Sequence, residues 1–145
     1  MRKLTGEKIV IATHNKGKLE EFAELLKPYG VQAVSAGQLG LAEPVETEDT
    51  FAGNARIKAE AAMKASGLIA ISDDSGLCVE ALNGEPGVYT ADWAGPDRDW
   101  TRAMRLVEEK LQAHHATAPD HRRAEFVCTL CVLWPDGEER IYEGR

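Results

Sequence analysis

"KIVIATHNKGKLEEFAELLKPYGVQAVSA", residues 8–36, is the stretch on which the fold rests. It opens with an apolar run of strand length, residues 8–13, rich in β-branched side chains. The period then changes. Leu19, Phe22, Ala23 and Leu26 recur at helical spacing, and Pro28 and Gly30 stop the helix. "VQAVSA" (31–36) returns to strand character.

Working outward, Thr50 is placed to cap a second helix, "FAGNARIKAEAAMKASG", that ends at Gly67. "LIAIS" (68–72) reads as a third strand and "LCVEAL" (77–82) as a fourth, followed by a turn-rich loop, "NGEPGVYTADWAG". A third helix covers residues 97–114, with Trp100, Ala103, Met104 and Val107 on one stripe. "AEFVCTLCVLW", the turn "PDG" and "RIYEGR" read as a closing hairpin. Helices and strands that intermix in this way predict a mixed α/β (α+β) fold, a mixed sheet flanked by helices. The first strand of the hairpin is apolar on both faces, which predicts an interior position.

The 145 residues are one domain's worth of chain, with 43% hydrophobic and 28% charged residues. A net charge of −7 argues against a nucleic-acid polymer as partner, which needs a basic face. No apolar run approaches the roughly 20 residues of a membrane span, and no signal peptide is legible at the N-terminus. The expected compartment is the cytoplasm. Three cysteines make no disulfide framework. Cys128 and Cys131 form a C-x-x-C inside a strand, where an offset of three points the sulfurs to opposite faces. They are expected to be buried structural thiols.

Three stretches carry candidate chemistry. In "IATHNKGK" a strand gives way to a polar turn and a helix start. Asn15 is a good N-cap, and Lys16 and Lys18 add positive charge at the end of a helix that favours anions. Gly17-Lys18 evokes a P-loop, but that motif needs a glycine where Ala12 stands and Ser or Thr where Leu19 stands. A phosphate site of another kind and an ordinary capped helix with solvated lysines both remain open. In the second helix, Asn54 and Lys58 share a face, with Thr50 one turn earlier. The loop before it carries Glu43, Glu46, Glu48 and Asp49, oxygen donors of the kind that suit magnesium, manganese or calcium. In "ISDDSG" (71–76), Asp73 and Asp74 end the third strand and project to opposite sides. Two like charges there fit a metal and an activated water, or an Asx-type turn. Together these parts favour metal-assisted phosphoryl chemistry over a nucleophile triad.

"IATHNKGKLEEF", "TFAGNARIKA", "ISDDSGLCVEALNGEPGVYTADWAG" and "FVCTLCV", in this order, closely resemble the inosine triphosphate pyrophosphatase family. The resemblance implies a long mixed sheet in two lobes around a cleft. It also implies magnesium-dependent hydrolysis of ITP, dITP and XTP to the monophosphate and pyrophosphate, and a cytoplasmic homodimer. Thr13, Asn15 and Lys18 match the triphosphate-binding turn, to which His14, Lys16 and Gly17 belong. Lys58 matches a phosphate-contacting lysine, with Asn54 beside it, and Ser75 a substrate contact. Asp74 matches the catalytic, metal-binding acid, and Asp73 is taken as a supporting carboxylate. Glu46 matches the metal-binding acid, with Glu48 left open beside it.

The family's Phe-Gly-Tyr-Asp and Ser-His-Arg motifs for base and phosphates have no counterpart up to Arg145. The chain is therefore expected to be a single domain, incomplete at its C-terminus. A catalytically weak nucleotide-binding fragment is the alternative, and a fragment that only associates through an open sheet edge is a third.

Overall fold

The structure is a computed structural model and describes residues 2–145. Five strands, β1 (Lys8–Ile11), β2 (Gln32–Ser35), β3 (Ile69–Val79), β4 (Ala124–Leu133) and β5 (Glu139–Gly144), form one sheet in the order β2-β1-β3-β4-β5. The helices are α1 (Lys16–Leu26), α2 (Phe51–Ser66), α3 (Thr90–Ala94) and α4 (Trp100–Ala113). β1 runs parallel to both neighbours, with Val10 opposite Val34 on one side and Ala70 on the other. That is the mixed α/β architecture expected of a strand–helix–strand opening.

The chain divides into two compact units, residues 1–73 with 129–142, and residues 74–128 with 143–145. In the first, β1, the start of β3 and the end of β4 are buried on both faces, which is why these segments read as unbroken apolar runs. Alternation along β1, β3 and β4 sends Ile9, Ile11, Ile69, Ile71, Val132 and Trp134 toward Leu19, Phe22 and Leu26 of α1. Val10, Ala70, Cys131 and Leu133 face the other way, onto Ala55, Ala59 and Ala62 of α2. Those alanines lie at helical spacing, and their small side chains let the α2 backbone approach the sheet. The buried Ser72 hydroxyl donates to the Ala55 carbonyl. A Leu- or Val-sized side chain buried this way contributes roughly 1.5–3 kcal/mol.

The second unit is built on Val79, Leu82, Leu111 and Ala116, with Trp93 and Val107 packed against them. Asp99 caps α4 by accepting from the Arg102 N–H at 3.1 Å.

Four expectations are corrected. The third and fourth predicted strands are one continuous strand, β3, so Asp73 and Asp74 lie within it and not at its end. Strand pairing, which local pattern does not reveal, carries the ladder across the acidic stretch. On α4 the inward residues are Ala103, Val107 and Leu111, while Trp100 and Met104 are 51% and 65% exposed. A narrower stripe than the one predicted is covered. Cys131 is buried, but Cys128 is exposed, because only the second half of β4 is covered on both faces. Phe126, in the first half, is 74% exposed. The loop at residues 83–95 contains the short helix α3, whose single turn is too brief to show a period.

Candidate functional site

The turn after β1 is built by its own polar side chains. The Asn15 N–H donates to the Thr13 hydroxyl at 3.0 Å, and Asn15 Oδ1 accepts from the Lys18 N–H at 3.2 Å. This caps α1 as expected, at the positive end of its dipole. Gly17 fits because a Cβ there would lie 3.2 Å from the capping oxygen. His14 and Lys16 are exposed. His14 contributes with Lys58, Glu43 and Leu41 to a small cavity of about 30 Å³.

From the turn, the Lys18 side chain reaches across to β3, where its ammonium lies 2.7 Å from Asp73 Oδ2. Lys58, on α2, donates to the Asp73 carbonyl at 2.6 Å and pairs with Glu46 Oε1 at 2.8 Å. Two lysines forty positions apart in sequence (58 − 18) thus meet on one residue, each held by a different group of it. The Lys58 side chain is 19% exposed and that of Asp73 13%, so the cluster is only partly open to solvent.

The acidic loop is fastened to α2 by Asn54. This residue is 3% exposed; its Oδ1 accepts from the Glu48 N–H and its Nδ2 donates to the Glu48 carbonyl, both at 3.0 Å. The resemblance implies a substrate-binding role for Asn54 beside Lys58, whereas the structure turns its amide onto the loop backbone. Thr50 caps α2 by accepting from the Gly53 N–H at 3.0 Å. Gly53 leaves room for the Glu48 side chain, whose Cβ a Cβ at Gly53 would meet at 2.7 Å. The glycine of "TFAGN" therefore serves the loop, a role no local pattern reveals. Ser72 was also missed: a serine in an apolar strand gives no sign that it ties β3 to α2.

By the pleat of β3, Asp74 takes the face opposite Asp73. It is partly buried, with Oδ2 shut off from solvent, and Ser75 beside it is exposed. Among the described residues no group of three or more His, Cys, Asp and Glu side chains converges as a metal cage. Oxygen donors such as Glu46 and Asp74 nonetheless suit magnesium, which is commonly bound by one or two carboxylates together with substrate phosphates.

The Ham1 family profile matches residues 9–145. A dITP/XTP pyrophosphatase of Rhodopseudomonas palustris is 60% identical over 144 residues, 99% of this chain and 68% of that protein. One from Ruegeria pomeroyi is 56% identical over 145 residues, covering 99% and 70%. Among solved structures, a HAM1 protein from Coxiella burnetii superposes with a TM-score of 0.87 at 34% identity, over 95% of this chain and 70% of that one. A nucleoside-triphosphatase, dITP/XTP pyrophosphatase, from Mycobacterium abscessus gives 0.81 at 41% identity, over 95% and 71%. Among the described residues, no helix is long and apolar enough to cross a membrane.

Proposed function

The chain belongs to the Ham1 family, and from that premise we propose that it hydrolyses ITP, dITP and XTP to the nucleoside monophosphate and pyrophosphate. The observation that carries this reading is the meeting of Lys18 and Lys58 on Asp73, beside the capped end of α1. Two ammonium groups and a helix N-terminus make a site for a polyanion.

In the reaction a water oxygen bonds to the α-phosphorus and the bridging P–O bond to the β-phosphate breaks. Pyrophosphate leaves with the bonding pair. Asp74 takes the proton from the water; one of its oxygens is already shielded from bulk solvent. Lys18 and Lys58 hold the phosphates, Asn15 and Thr13 keep the turn in shape, and Ser75 contacts the substrate. Asn54 acts indirectly, by fixing the loop that carries Glu46. Magnesium, held by Glu46 and Asp74, would supply charge neutralisation on the polyphosphate and a more acidic water. The ion pair with Lys58 supports Glu46 over Glu48 in this role. A cytoplasmic homodimer completes the proposal.

Pyrophosphate release from ITP, XTP and GTP, with magnesium and with EDTA, tests it. Release from ITP and XTP, abolished by EDTA, is the expected result. Binding of the triphosphates without release would make the chain a nucleotide-binding module instead.

A further inference from the structure

Asp73 carries an arrangement that the hydrolytic scheme leaves unused. Its carboxylate is mostly buried on a strand, whereas the Lys18 side chain it holds at 2.7 Å is 39% exposed on a helix end. A carboxylate oxygen and a phosphate oxygen are both anionic acceptors and meet an ammonium in the same way. We propose that Asp73 is a positioning residue that acts through Lys18 as an internal stand-in for a phosphate oxygen. It occupies the ammonium until a polyphosphate displaces it. Asp73 is fixed in β3 and cannot follow the Lys18 ammonium, so when Lys18 turns to the phosphate the pair parts under this proposal.

The inference rests on the reading of Lys18 as a phosphate ligand. It also predicts an asymmetry. Lys58 is held by the main-chain carbonyl of Asp73, which no side-chain substitution removes, whereas Lys18 is held by the carboxylate itself, so the substitution acts chiefly on Lys18.

The consequence is a lowered affinity for polyphosphate. A partly exposed ion pair at the strong end of its usual range leaves Lys18 unpaired about a fifth of the time, which weakens binding about fivefold. Calorimetric titration of inorganic tripolyphosphate into the full chain, with EDTA present, measures this without turnover or metal. Asp73→Asn is expected to tighten binding by about that factor. The gain should vanish in a Lys18→Ala background and persist in a Lys58→Ala background. Unchanged or weaker binding by Asp73→Asn, or tightening that survives Lys18→Ala, overturns the proposal. If Lys18→Ala alone binds tripolyphosphate as well as the unsubstituted chain, the phosphate reading of Lys18 has failed, and the proposal with it.

A second measurement avoids substitution at Asp73. In the unsubstituted chain the carboxyl ¹³C resonance of Asp73 should shift when tripolyphosphate is added, reporting loss of the ammonium. A resonance that stays still while tripolyphosphate binds overturns the proposal, whether or not Asp73→Asn folds.

Discussion

Gly53 is required by its neighbours and not by its own backbone. It sits in the first turn of α2, where helix propensity alone favours alanine by about 1 kcal/mol. A Cβ there would lie 2.7 and 2.8 Å from Glu48 Cβ and Cγ and 2.9 Å from Thr50 Oγ1. Gly53→Ala is therefore expected to lower the melting temperature despite its better propensity. Asn54→Ala removes both bonds to the Glu48 main chain and leaves that N–H and carbonyl without the amide, at a cost of about 1–3 kcal/mol. Urea unfolding would show it, and amide exchange at Glu48 should speed up. Asp74→Asn keeps the shape and loses the base, so pyrophosphate release should fall on the order of 10²–10⁴-fold with unfolding unchanged. Near-normal release by that variant would remove Asp74 from the mechanism.

β4 illustrates how one strand serves two environments. Its exposed Cys128 and its buried Cys131 lie three residues apart on opposite faces. Burial, with a smaller contribution from Glu139, pushes the Cys131 thiol up to about 11 from 9.0. A thiol-specific reagent at neutral pH should modify Cys128 rapidly and Cys131 only on unfolding. The same shift has a stability consequence. Above about pH 9 the unfolded chain loses this proton while the folded chain keeps it to about 11. The unfolded state then binds fewer protons, so stability falls as pH rises through that window and is unaffected below it. Denaturant unfolding between pH 8 and 11 should show a shallower decline in Cys131→Ala than in the unsubstituted chain. On α2 the limit is space: Ala59 is fully buried against the sheet, and Ala59→Leu should destabilise by about 1–3 kcal/mol through overpacking.

For the whole molecule, the sheet has β2 at one edge and β5 at the other, and β5 is exposed along nearly its entire length. It presents Ile141 and Tyr142 at 39% and 49% exposure beside a line of unpaired backbone groups. Light scattering is expected to show association that rises with concentration, and Ile141→Lys should suppress it by placing a charge on the edge. Where sequence pattern was strong, it was sufficient. The residue 8–36 stretch determined β1, α1 and β2 through a switch of period, and Asn15, Thr50 and Gly67 declared the helix ends because capping is a local interaction. The buried halves of the strands were legible as apolar runs for the same local reason. What lies between distant residues was not. That β3 continues through two aspartates depends on its neighbours in the sheet, and that α4 buries Val107 and Leu111 while exposing Trp100 depends on what packs against it. The sequence alone named Lys18, Lys58, Glu46 and Asp73 as separate candidates. Only the tertiary structure decided that the two lysines share Asp73 and that Glu46 meets Lys58, because ion pairs and hydrogen bonds between different elements of the chain form in space and leave no period in the sequence.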